Sequence, residues 1–427
     1  MTLSRLLPFL LLGLLACTTP AVDPDPAGGD IPDQPAAGTP TAIGQPVGAA
    51  TTQTIGPAGG ALTSSDGKLT LNFPAGALAK ETPVSIQPIE NKAFGGVGAA
   101  YRLLPADATY QKAATATWQY TDADVNGSTP DALGMAAQQA NGVWLGRALK
   151  ADKTKKQVTA SITRPRDIAY FEQFFLRPSQ PQVLPNEPVE FQAYYLKNFS
   201  GNPDENWFTL SQPEPTGLAY DWMVNGVPAN RHQNAELGQV SLHDDSRMLL
   251  YRAPQKSPGS PIAISTRIVT ASKVQLTLVS NVSVYSGNSC TVDGKNVSNA
   301  PVSFAVSNGV LTGMIAEKGM ATPGAILVGL AVENFKGTGT YEVNKDTAEN
   351  RNKLVGITAY TDDKQFTHFY RDDMNQWISG GGKITITEYV PGKLIVGSVS
   401  GGVFYTTGKK SEFKSISCSA SFRAWIN

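Results

Sequence analysis

The hydrophobic positions along the chain fall into three kinds of text. Residues 6–16, LLPFLLLGLLA, form an almost unbroken apolar run behind a single positive charge at Arg5. Residues 18–52 carry hardly any large apolar side chain and are rich in proline, threonine, alanine and aspartate. From about Ile55 onward, apolar residues recur at every second position in short stretches punctuated by glycine, asparagine and proline. Alternation with period two is the pattern of a strand with one buried face. It occurs at Leu69, Leu71 and Phe73; at Val84 and Ile86; and at Val189, Phe191, Ala193 and Tyr195. It returns at Val302, Phe304 and Val306, at Ile384 and Ile386, and at Ala420, Phe422, Ala424 and Ile426. The pattern predicts an all-β protein of three consecutive β-sandwich or barrel-like domains after a signal peptide and a disordered linker.

The first run is too short to cross a bilayer, which takes roughly 20 residues, and has the length of a signal-peptide core. It ends at Leu14-Leu15-Ala16-Cys17, which resembles the bacterial lipobox. That resemblance implies cleavage after a signal peptide at 1–16 and attachment of acyl chains, palmitate among them, to Cys17. Several buried acyl chains make a stable anchor where one is marginal. The alternative is an ordinary secretory signal cut nearby. Thr18, rather than aspartate, follows the cysteine. By analogy with inner-membrane retention signals this favours the outer membrane, facing either the periplasm or the exterior. The text of 17–53 cannot bury a core, so it reads as a disordered tether.

Composition narrows the classes. Among 427 residues, lysine plus arginine and aspartate plus glutamate both number 35, so no net charge points to nucleic acid. With 41 glycines and 29 prolines, the chain suits short strands joined by tight turns.

Three modules follow the tether. Over 54–174, Gly59-Gly60, Asp66-Gly67, Phe73-Pro74-Ala75-Gly76-Ala77-Leu78 and the stretch 101–120 resemble a ZU5-like β-sandwich. Some members of that family cleave themselves at a His-Phe-Ser step. The corresponding residues here are Tyr170-Phe171-Glu172, which lack both histidine and nucleophile, so the resemblance implies contacts rather than self-cleavage. Over 175–289, Trp222-Met223-Val224-Asn225-Gly226, Gly238-Gln239-Val240 and Tyr251-Arg252-Ala253-Pro254 resemble bacterial immunoglobulin-like domains. The resemblance implies a tryptophan between two sheets, an Asn-Gly hairpin and a Tyr-x-Ala-Pro edge strand. Over 290–427, GTGTYEVN and GGGKITITEYVPGKLIVGSVSGGVFY resemble a C-terminal domain of uncharacterised lipoproteins of the Bacteroidetes type. No function comes with it.

Candidate chemistry is sparse. Cys290 and Cys418 are the remaining cysteines in an exported context, one in the first strand of the last module and one in its last. They form a disulfide if those strands are neighbours, or stay as two buried thiols. Asp122, Asp124 and Asn126 alternate before Gly127 like the first half of a calcium loop, but Leu133 stands where the bidentate acid belongs. The alternative is a polar hairpin loop. His232, His243 and His368 stand in polar text and are expected on loops. No Gly-x-Ser-x-Gly elbow occurs, and adjacent acids such as Asp244-Asp245 and Asp372-Asp373 read as solvated. Gly380-Gly381-Gly382 precedes a strand rather than a helix and is no phosphate cradle. In TDDKQFTHFYRDDMNQWISG, Tyr370 and Trp377 are either a contact site for a glycan or protein or simply core. The expectation is a non-enzymatic envelope lipoprotein with an unknown protein or glycan partner, or alternatively a carbohydrate-binding lipoprotein.

Overall fold

A computed structural model describes residues 38–196, 207–243, 248–270, 273–317, 322–344, 353–371, 377–405 and 414–426. Among them the protein is all-β, with only short 3-10 turns beside the strands.

The first sandwich pairs a seven-stranded with a five-stranded sheet. The larger runs Thr51–Ile55, Thr82–Ile89, Gly96–Leu104, Asp167–Glu172, Leu133–Gln138, Trp144–Ala148 and Phe208–Thr209. The smaller runs Gly60–Thr63, Leu69–Phe73, Ala114–Gln119, Gln157–Ile162 and Ala151–Asp152. Leu69, Leu71 and Phe73 point inward while Asn72 is exposed, as the alternation predicts. At the centre, Trp118 stacks on Tyr170 with ring centroids 4.5 Å apart.

Both faces of the larger sheet are covered. On its outer face Ile89, Trp144, Phe171, Leu196 and Leu210 form a second, smaller core. Gly134 and Gly146 make room for it, because a Cβ at either would lie 2.4 or 2.9 Å from the Phe171 ring. Tyr170-Phe171-Glu172 is therefore a through-going strand with alternate residues in two cores. The first of them, Tyr170, fills the main one.

The expectation of a free tether needs correction. The later part of the 17–53 tether is docked, not free. Thr41 N donates to Gly142 O at 2.9 Å, and Trp144 Nε1 donates to Thr41 Oγ1 at 2.8 Å. Glu90 N donates to Gln45 O, Val47 N to Pro88 O, and Arg102 to Gly44 O. Gly44 is buried so closely that a Cβ there would lie 2.2 Å from Glu90 O. Residues 51–55 then form the edge strand. Hydrogen bonds, from backbone groups and from polar side chains such as Trp144 and Arg102, and one buried glycine hold this segment, so its lack of apolar side chains does not leave it free.

The middle sandwich buries Trp222, 2 % exposed, among Phe191, Leu249, Tyr251 and Ile264. Asn225 and Gly226 take φ of 46° and 79° in the turn joining Ala219–Val224 to Val227–Pro228. That is the left-handed geometry an Asn-Gly hairpin requires. The strand Met248–Arg252 is not at an edge, contrary to expectation. Gln239–Leu242 pairs along its outer side and takes the edge position.

The C-terminal unit is one eleven-stranded sheet that curls over on itself. Phe304, on its last strand, packs against Phe422, on its third, with centroids 4.4 Å apart. Ser289–Val292 and Lys414–Ala424 are neighbours, as the cysteine argument requires, yet both thiols are free and buried. The register explains the correction. Cys290 lies opposite Ala420 and Cys418 opposite Val292, so the cysteines are diagonal. Diagonal positions are roughly 7–8 Å apart, beyond the span a disulfide bridges comfortably.

Candidate functional site

The acidic loop after Gln119 is a clamp, not a cation cradle. Lys68 Nζ donates to both Asp124 carboxylate oxygens at 2.8 Å, and Thr121 supplies N at 2.8 Å and Oγ1 at 2.7 Å. Burial pushes the Asp124 carboxyl up, but these partners outweigh it and hold the group below the usual range. Asp122 is taken by Lys156 at 2.8 Å. Asn126 accepts from Asn281 of the middle sandwich at 3.1 Å, and Gly127 N donates to Val279 O at 2.6 Å. The three expected ligands thus turn to three different partners. Among the described residues, no group of three histidine, cysteine or acidic side chains is arranged to hold a metal.

Tyr370 and Trp377 lie on a two-stranded ribbon, Phe369–Arg371 with Trp377–Ser379. The register sets 370 opposite 378 and 371 opposite 377, so the two positions fall on opposite faces. The Tyr370 ring packs edge-on against Phe404 at 4.8 Å. His368, expected on a loop, is instead buried at 4 % exposure with Nδ1 against Ile357 N and O. Gly356 admits the ring, since a Cβ there would lie 2.8 Å from it. His232 and His243 do sit in loops, against Gly238 O at 3.0 Å and Glu190 at 3.1 Å. Cys17 lies outside the described residues.

Concave surface is concentrated elsewhere. A groove of about 1040 Å3 at one end of the first sandwich is lined by Ile43, Arg102, Arg164, Arg166 and Asp167. Its charges are spoken for: Arg102 binds Asp167 at 2.7 Å, and neither Arg164 nor Arg166 is without a partner. Two further grooves, about 830 and 590 Å3, flank the junction between the middle sandwich and the C-terminal unit. That junction includes two side-chain bonds, Asn186 to Val302 O at 3.0 Å and Asn299 to Ser257 O at 2.8 Å.

The 590 Å3 cleft has two walls. On the middle sandwich, Tyr285 N donates to Val183 O and Glu187 accepts from Leu184 N at 2.7 Å. Opposite, the hairpin turn at Gly392, with φ 65°, sets Lys393 beside the terminal strand, tied by Ile426 N to Lys393 O. Arg423 and the half-buried Trp425 complete this wall. Tyr285 and Val390 are each 40 % exposed, so the cleft gathers large apolar side chains that folding leaves in water. The sequence reading missed it because its residues come from four separated segments. The one local signal was aromatic residues at a module boundary and next to the last strand's end.

An all-β chain of stacked sandwiches with a cleft between units belongs to the broad class of modular β-proteins. No family model and no curated protein matches it.

Proposed function

We propose that the protein is a lipid-anchored envelope lipoprotein that acts by contact rather than catalysis, presenting its β-units to a protein or glycan partner. Cys17 carries the acyl anchor in the outer membrane. Residues 17–37 between that anchor and the docked segment can reach at most about 70 Å, enough to hold the modules clear of lipid. The observation that carries the contact role is the position of two grooves on either side of one junction. Recognition surfaces on scaffolds of this kind collect where modules meet.

The anchor is tested by mass spectrometry of the N-terminal peptide from membranes of a bacterial host. A diacylglyceryl and fatty-acyl mass on Cys17, absent from Cys17→Ser, is the expected result. An unmodified thiol on a membrane-free protein would overturn it.

A further inference from the structure

We propose that the cleft between Tyr285 on the middle sandwich and Trp425 on the C-terminal unit binds an acidic oligosaccharide, a chain carrying uronate carboxylates. This deepens the contact role but stands without the lipid anchor. A sugar ring has an apolar face of C–H bonds and a rim of hydroxyls, so it gains by laying that face on an aromatic ring while its rim keeps polar partners. Tyr285 offers such a face in a site of about 590 Å3, within the range that encloses small ligands. Gly287 makes room for the ring, since a Cβ there would lie 2.2 Å from the Tyr285 hydroxyl.

Charge selects the acidic class. Lys393 and Arg423 face the cleft from one wall, and Glu187 is the acid on the other. Glu187 is already engaged by Leu184 N, while Arg423 is only loosely paired with Glu388 at 3.5 Å. Lys393 has no side-chain partner among the described residues. A carboxylate on the sugar satisfies that ammonium and can share the guanidinium.

The test is isothermal titration calorimetry on the full chain carrying Cys17→Ser, with a galacturonate hexasaccharide as acidic probe and maltohexaose as neutral probe. The expected result is micromolar-to-millimolar binding of the galacturonate, weakened by salt, with maltohexaose at least about tenfold weaker. Tyr285→Ala should cost about tenfold or more, and Gly287→Ala, which touches no sugar, should also weaken binding by displacing the ring. Lys393→Gln should erase the preference for the acidic probe. No heat with either probe, equal affinity for both, or binding unchanged in Tyr285→Ala and Lys393→Gln would overturn the proposal. Because the anchor is removed in this protein, its outcome is independent of acylation.

Discussion

The two junctions of the molecule are built on opposite principles. Between the first and middle sandwiches, Phe208–Thr209 from the middle segment adds a strand to the first sandwich's sheet. Leu196 and Leu210 then pack on Trp144 and Phe171, and Asn126 reaches across to Asn281. Between the middle sandwich and the C-terminal unit, by contrast, asparagine side chains bridge to backbone oxygens with open clefts beside them. One joint shares a core and the other only touches. A shared core fixes geometry because its burial is lost all at once. A touching joint leaves concave, partly apolar surface in water, and there a ligand can add contacts that folding did not.

Phe171 is the side chain on which the shared core depends most. Replacing it with alanine empties the small core over Gly134 and Gly146, and should cost about 3–5 kcal/mol in denaturant unfolding, with the first two sandwiches losing stability together. If the middle sandwich keeps its midpoint while the first alone falls, the shared core is not a weld.

Next comes Glu172, at the same joint. Burial lifts its carboxyl to about 8, against the pull of Arg177 at 3.9 Å and with a push from Asp124. The folded chain then keeps a proton that the unfolded chain releases above 4.5. Its contribution is full below that value and is lost as pH rises towards about 8, so stability falls across this window. Glu172→Gln should flatten the slope and be more stable than the parent by about 2–4 kcal/mol at pH 9. An unchanged slope would remove Glu172 as its cause.

The other joint responds less. Asn186→Ala with Asn299→Ala should cost only about 1 kcal/mol for each bond lost, yet broaden the distribution of inter-unit distances measured by double electron–electron resonance. The smallest effect concerns the free thiols. Burial pushes Cys290 up to about 11 and Cys418 up to about 12, so in Cys17→Ser protein neither should react with Ellman's reagent until the chain unfolds. Two thiols should then appear without a reductant.

What could be read from the sequence was what local chemistry dictates. The strand at Leu69, the core tryptophan at 222 and the Asn-Gly turn at 225 each depend on a few consecutive residues and were legible. What was missed depends on partners far along the chain. The docking of 38–50 rests largely on hydrogen bonds to backbone groups about forty to a hundred positions away, which leave no local pattern in the segment. The diagonal of Cys290 and Cys418 is a matter of register, invisible to parity alone. Asp124 has the spacing of a calcium ligand, but Lys68, fifty-six residues earlier, claims it. The cleft of Tyr285 and Trp425 needs two modules to exist at all.

Amide hydrogen exchange at Leu210 tests the contrast most directly, because its N–H donates to Trp144 O at 2.9 Å only if the middle segment truly completes the first sandwich's sheet. Protection at 208–210 should equal that of the Trp144–Ala148 strand and be lost in the same transition. Exchange there at the rate of an open loop, with the Trp144–Ala148 strand still protected, would contradict it.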